Sequence, residues 1–275
     1  MGQLLSIIIP VYNERDLLPQ ILQQVEQVQL PGGLERQIVI VDDGSTDGTR
    51  DILRGLIRER SDYIIHFHEK NQGKGGGVRT GMKLATGDIV LIQDADLEYS
   101  PRDYPQLLKP ILENKADAVF GSRFIGDSRR VLYFWHSVAN KMLTMLSNML
   151  SNLNLTDMEC CYKVFTKDLA DRLDITEPRF GLEPEMTAKV AKLNARLYEV
   201  PVTYDGRTYA EGKKITWRDG VSALRCILKY NLLTPKQAAV APRVEQVTGT
   251  GPIPISSHTP EENTTGSVQE QKKAA

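Results

Sequence analysis

The chain opens on a tight apolar run, Ser6 to Pro10, and then changes period. Leu17, Leu18, Ile21, Leu22 and Val25 fall on one face of a helix, with Asn13 placed to cap it. The alternation recurs: Gln37 to Val41, Tyr63 to Phe67, Asp88 to Gln93 and Ala118 to Phe120 read as strands. Ile52, Leu53, Leu56 and Ile57 give the helix after the second strand its apolar stripe. Continuous apolar strands separated by amphipathic helices predict an α/β fold, with a mostly parallel central sheet and helices on both faces. The second half is less regular. It reads as a long helix from Val131 to Leu153, a strand near Tyr162 to Phe165, and a helix around Glu183 to Lys192. A strand from Ala195 to Tyr204 and a last helix from about Trp217 to Tyr230 follow. Beyond Pro235 the chain turns to Pro, Thr, Ser, Gly, Gln and Glu without periodicity, so residues 236–275 are expected to form a disordered tail.

Composition narrows the function classes. The 275 residues are 41% hydrophobic and 25% charged, enough apolar material to bury a sizeable core. A net charge of -1 gives no basic field for nucleic acid. Cys160, Cys161 and Cys226 have neither C-x-x-C spacing nor paired histidines, so they read as small buried hydrophobes in a reducing compartment. The first apolar run lacks a basic flank and a cleavage site, and no run of ~18 apolar residues follows, so a cytoplasmic protein is expected.

In parallel sheets ligands bind beyond the carboxyl ends of the strands. The loops there, Pro10 to Glu14, Asp42 to Thr49, Lys70 to Gly77 and Asp94 to Pro101, are all polar or glycine-rich. Asp94 and Asp96 leave the buried strand Ile89 to Ile92 one residue apart. Such a pair suits Mg2+ or Mn2+ bridging substrate phosphates, with Glu98 two residues on to complete the set. The plainer alternative is a polar strand terminus. Asp42 and Asp43 leave another buried strand; they either accept hydrogen bonds from a base or ribose, or form an ordinary turn with Ser45 or Thr46 capping the next helix. Asn71 to Gly77 is not a P-loop, because Gly75 follows Lys74 where Ser or Thr is needed. Its glycines serve either a diphosphate or close backbone packing.

Four motifs occur in order: Ile9 to Glu14, Val41 to Gly48, Asn71 to Gly75, and Asp94 to Glu98. Together they resemble the family 2 glycosyltransferases of the GT-A fold, a Rossmann-like nucleotide-diphospho-sugar transferase architecture. Gly121 to Arg123, Leu155 to Glu159 and Gly206 to Lys213 resemble the branch that makes polyprenol-phosphate sugars, the dolichol-phosphate mannosyltransferase branch. The resemblance covers about Leu4 to Asn231. It implies an inverting, metal-dependent transfer of a hexose from a GDP-mannose or UDP-glucose type donor to a lipid phosphate. It implies that Pro10, Tyr12, Glu14 and Asp43 hold the nucleoside, with Val41 lining the pocket and Ala95 beside the donor. Asp94 and Asp96 would carry metal and diphosphate, although Glu98 stands where the branch often has glutamine. Arg123, Arg207 and Lys213 would gather phosphate charge. The domain at residues 1–235 would then comprise a nucleotide-binding half to about residue 125 and an acceptor half after it.

A lipid phosphate is largely dianionic at neutral pH, its second pKa lying near ~6, and needs cations rather than a base. A hydroxyl acceptor would need a carboxylate, and Asp157, Glu159, Glu183 and Glu185 are available. That rival, a soluble transferase acting on a glycan or protein hydroxyl, stands beside a non-catalytic nucleotide-sugar-binding module. Within residues 131–153, Trp135, Val138, Met142, Met145, Leu146, Met149, Leu150 and Leu153 recur at helical spacing, opposite Ser137, Lys141, Thr144, Asn148 and Ser151. With Leu132, Tyr133, Phe134, Arg129 and Arg130 at its start, this helix is expected on the membrane surface, or else in a core or subunit interface. A partner subunit could also bring the enzyme to its lipid.

Overall fold

The structure, a computed structural model, describes residues 3–60, 62–126, 130, 131, 133–207 and 217–235. The expected Lys213 site, Arg129, Leu132 and the tail from 236 lie outside the described residues. Seven strands form one sheet in the order β3-β2-β1-β4-β6-β5-β7. They are β1 (Leu4–Val11), β2 (Glu35–Asp42), β3 (Tyr63–Phe67), β4 (Ile89–Ile92), β5 (Ala118–Ser122), β6 (Lys163–Thr166) and β7 (Leu197–Pro201). The helices are α1 (Leu18–Gln27), α2 (Thr49–Glu59), α3 (Lys74–Leu84), α4 (Tyr104–Leu112), α5 (Phe134–Ser151), α6 (Lys167–Arg172), α7 (Leu182–Lys192) and α8 (Trp217–Leu228). A π-helical turn, Lys229–Leu233, extends α8.

The alternation of side chains along each strand sends apolar residues to both faces. Ile7 and Ile9 join α1 and α4 on one side, with Leu18, Ile21, Leu107 and Leu108. Ile8, Val90 and Phe165 join α3, α6 and α7 on the other, with Val78, Leu169 and Met186. A sheet covered on both faces explains why its strands are apolar throughout. All pairings are parallel except those of β6, which runs antiparallel between β4 and β5, with Ile92 opposite Lys163. The start of β6 therefore lies at the carboxyl end of β4, among the loops expected to bind ligand.

Two expected helix caps act elsewhere. Helix α1 begins at Leu18, while Asn13 takes a left-handed φ of 54° and accepts the Thr46 N–H through its side chain, at 2.8 Å. Ser45 accepts the Asn13 N–H at 2.9 Å, and the cap of α2 is Gly48. These side chains tie two loops together and satisfy loop backbone N–H groups instead of helix ends. The expected strand Ala195 to Tyr204 is confined to Leu197–Pro201, and the expected helix 131–153 to Phe134–Ser151.

Candidate active site

Beyond the carboxyl ends of β1, β2 and β4 lies a cavity of about 1200 Å3. Of the sequence-predicted residues, Pro10, Tyr12, Glu14, Asp43, Asp94, Ala95, Asp96, Glu98, Arg123 and Arg207 all line it. Val41 does not: it is fully buried inside β2, beneath the cavity floor. Segments more than a hundred residues apart thus meet at one place.

Asp43 is almost wholly buried and heavily engaged. It accepts the backbone N–H groups of Gln72 and Gly73 at 2.8 and 2.7 Å and pairs with His68 Nδ1 at 2.8 Å. The other ring nitrogen of His68 meets Thr80 Oγ1 at 2.9 Å. Asp43 therefore shapes the glycine-rich loop as well as bordering the cavity. That loop packs on the backbone before α7: a Cβ on Gly73, where φ is 84°, would lie 2.3 Å from the Pro178 carbonyl oxygen, and one on Gly75 would lie 2.0 Å from that of Glu177. Glycine is required at both positions because backbone meets backbone.

Lys74 projects from this loop to Asp94, at 2.9 Å, and to Glu183 at the start of α7, at 3.1 Å. Burial opposes its charge, but Asp94 and Glu183 outweigh that and hold Lys74 well above the usual lysine range. Arg207 donates to Asp96 Oδ2 and Glu98 Oε1, each at 2.9 Å, while the Tyr204 hydroxyl donates to Glu98 Oε2 at 2.9 Å. Each carboxylate of the Asp94–Asp96 pair therefore carries a protein cation. Burial and the adjacent Asp94 and Glu98 carboxylates still push Asp96 up to about 7, against the pull of Arg207. Among the described residues no group of three or more His, Cys, Asp or Glu side chains is arranged as a ready-made metal cage. Two crowded carboxylates facing a cavity nonetheless suit a hard cation that keeps waters and takes its other oxygens from a substrate.

Arg123 enters the cavity wall from the end of β5 and is locked there. Its Nε and Nη2 donate to the two oxygens of fully buried Asp157 at 2.6 and 2.7 Å, and its backbone N–H adds a third bond at 3.0 Å. Asn140 of α5 also donates to Asp157, at 3.1 Å. Burial works against the Asp157 charge, yet Arg123 keeps this carboxyl below the usual range. Of the other carboxylates considered as bases, Glu183 is tied to Lys74. Glu185 accepts from Thr176, the Glu177 N–H and Lys189, all within 2.8 Å. Burial and the Glu183 carboxylate push Glu159 up to about 8, so it holds its proton at neutral pH.

No local pattern marks the Lys74–Glu183 or Arg123–Asp157 pairs, whose members are 109 and 34 positions apart. The long helix differs from the core expectation too. In α5 the buried positions are Thr144 and Ser147, and Thr144 Oγ1 accepts the Met158 N–H at 3.2 Å. Its Phe134, Trp135, Met142, Met145 and Met149 are exposed, Trp135 by 75%. Val221, Leu224 and Leu228 of the neighbouring α8 are exposed as well. The outward side of α5 is therefore largely apolar, while Val138, Leu146 and Leu150 are half-buried. Val131, Tyr133, Phe134 and Trp135 also line the mouth of the cavity, so the acidic floor and the apolar rim are continuous.

Known proteins share this architecture. An undecaprenyl-phosphate 4-deoxy-4-formamido-L-arabinose transferase from Pseudomonas syringae pv. syringae is 29% identical over 231 residues, 83% of this chain. The chain spans 64% of that relative's length, and 66% of its Klebsiella pneumoniae counterpart's. Glucosyl-3-phosphoglycerate synthase from Mycobacterium tuberculosis, solved with Mn2+, UDP and glucosyl-3-phosphoglycerate, superposes with a TM-score of 0.61 at 17% identity, over 84% of this chain and 80% of its own. A Pyrobaculum calidifontis mannosyltransferase, solved with GDP-Man and Mn2+, gives 0.58 at 20% identity, over 84% and 63%. These likenesses establish the GT-A fold. The model of glycosyl transferase family 2 matches residues 6–174, the stretch that runs from β1 through the paired aspartates to the end of β6 and beyond, and so the chain belongs to glycosyl transferase family 2.

Proposed function

We propose that the protein transfers a hexose, with inversion, from a nucleoside-diphosphate sugar to a polyprenyl phosphate at a membrane surface. The observation that carries this reading is the single cavity joining Asp94 and Asp96 to the rim of Val131, Tyr133, Phe134 and Trp135. An acidic floor suits a diphosphate with its metal; an apolar rim suits the first isoprene units of a lipid. The Pseudomonas and Klebsiella relatives, both undecaprenyl-phosphate transferases, support the acceptor. Neighbours solved with UDP or GDP-Man support a nucleotide sugar of UDP-glucose or GDP-mannose type.

Pro10, Tyr12, Glu14 and Asp43 border the nucleoside end, over β1 and β2. Asp94 and Asp96 would hold Mg2+ or Mn2+, with Glu98 close behind but engaged by Arg207 and Tyr204. When bound, the cation neutralises charge on the leaving diphosphate. Lys74, Arg123 and Arg207 line the same cavity and would bind phosphate oxygens; Lys213, outside the described residues, joins the proposed cationic set on its motif alone. A phosphate nucleophile needs no proton removed, which suits a site where Asp94, Asp96, Glu98 and Glu183 are paired with Lys74 or Arg207 and Glu159 holds its proton. This argues for a lipid phosphate over a hydroxyl acceptor.

No described helix is long and apolar enough to cross a membrane. We assign the outward apolar side of α5 to peripheral contact with the bilayer, acting from the cytoplasmic side. The test is a panel of GDP- and UDP-sugars with polyprenyl phosphate, and with glycan acceptors in parallel, read by mass spectrometry. Formation of a polyprenyl-phosphate sugar from one donor is expected; transfer to hydroxyl acceptors alone would overturn the reading.

A further inference from the structure

Of the buried side-chain oxygens and nitrogens among the described residues, three have no hydrogen-bond partner: Asp42 Oδ1, Ser147 Oγ and Glu159 Oε1. Only Glu159 lines the cavity. Leaving a buried polar atom unmatched is costly, and such atoms in a ligand cavity point to a partner that arrives with the ligand.

The sheet order says which part of the ligand that is. On the proposed function, the nucleoside lies over β2 and β1 and the diphosphate over β4. The next strand in the order is β6, and Glu159 stands four positions before Lys163, which pairs with Ile92 at the end of β4. Beyond the diphosphate, the next portion of a nucleotide sugar is the sugar itself. The surrounding ionic groups have other work: Asp157 holds Arg123, Glu183 holds Lys74, and Lys163 donates to the carbonyls of Cys160 and Met158 at 2.8 and 3.2 Å. We infer that Glu159 is a specificity residue whose carboxyl group hydrogen-bonds a hydroxyl of the transferred sugar. Because it is held protonated, Glu159 offers an O–H donor together with a carbonyl acceptor, and a hydroxyl can satisfy both. It is therefore a sugar reader and not the base of the reaction. A sugar lacking that hydroxyl, or presenting it on the other face, leaves the buried oxygen unmatched, and sites of this kind discriminate strongly.

The experiment compares binding of nucleotide sugars with that of the free nucleoside diphosphate. Calorimetry in Mn2+ is run on full-length wild type, Glu159→Gln and Glu159→Ala with UDP, GDP, UDP-glucose, UDP-galactose and GDP-mannose. For the sugar nucleotide the wild type prefers, Glu159→Ala is expected to weaken binding about tenfold, or 1.4 kcal/mol, while shifting the free nucleoside diphosphate by less than about twofold. Glu159→Gln, which keeps a donor and an acceptor, should retain most of the affinity. Equal losses for sugar nucleotide and free nucleotide in Glu159→Ala would overturn the inference, as would no loss for either. A large loss in Glu159→Gln alongside intact nucleotide binding would also overturn it, by showing that the ionised group is needed. A Glu159→Met variant, read by thermal melting, guards against misfolding, since replacing an unmatched acid with an apolar chain should leave the midpoint unchanged or raise it. If wild type binds no nucleotide sugar at all, the proposed function itself fails; if it binds one and the variants do not discriminate, only the role of Glu159 fails.

Discussion

Replacing Asp157 by Ala removes the carboxylate that receives three hydrogen bonds from Arg123 and one from Asn140. The Asp157 side chain has no solvent exposure and that of Arg123 only 18%, so water can replace only part of the lost contacts. Truncating one member of a buried ion pair strands the other charge, at a cost of about 3–5 kcal/mol. A domain of this size loses roughly 2–4 °C per kcal/mol, so the thermal midpoint should fall on the order of 10 °C. Asp157→Asn keeps the shape and should lose less. The sign with pH follows from the depressed native pKa of Asp157. Its contribution is fully present above the unfolded carboxylate value of ~4 and fades as pH falls through the lower native value, so wild type and Asp157→Asn should converge in acid. Denaturant unfolding of both variants from pH 7 to pH 3 measures this. A loss under about 1 kcal/mol at pH 7 for Asp157→Ala would show that the pair behaves as an exposed one and that Arg123 is not anchored by it.

Three further outcomes are expected. Asp96→Ala should abolish sugar transfer while leaving the fold intact by circular dichroism, and excess chelator should do the same to wild type; undiminished turnover in chelator would count against a metal at this pair. Arg207→Ala should damage acceptor kinetics more than donor binding, measured as separate KM values and donor Kd, and unchanged acceptor kinetics would remove Arg207 from the phosphate site. Wild type should sediment with anionic vesicles, whereas a Phe134→Ser, Trp135→Ser variant should sediment less. Wild type left in the supernatant would mean that a partner subunit brings it to the lipid, or that the acceptor is no lipid.

The elements that proved legible in sequence are those whose signal is local. Five strands from Ser6 to Phe120 announce themselves as apolar runs, and the paired aspartates are visible because a buried strand precedes them. The residues drawn from the family motifs fall on one cavity, apart from Val41, which its strand buries, and Lys213, outside the described residues. What sequence could not show is pairing. Nothing near Lys74 names Glu183, and nothing near Asn13 reveals that its side chain serves Thr46 and not a helix. Period alone left the Met- and Leu-rich stripe open between a membrane-facing surface and a core or subunit interface; α5 buries Thr144 and Ser147 and leaves Met142, Met145 and Met149 exposed, which goes against the core alternative.

The position of β6 bears on the order in which the molecule can assemble. Strands β1 to β4 are complete by residue 92 and can zip together as the chain leaves the ribosome, each pairing with a neighbour already made. Strand β5 has no such neighbour. It emerges by residue 122, but its partner on the side of β4 is β6, which arrives some forty positions later, and its outer partner β7 later still. Until then β4 presents an open edge to other chains, the usual starting point for aggregation. The slow step of folding should therefore be insertion of Lys163–Thr166 between two waiting strands. That same insertion carries Glu159 to the cavity and Asp157 to Arg123, so the site is finished only when the sheet is.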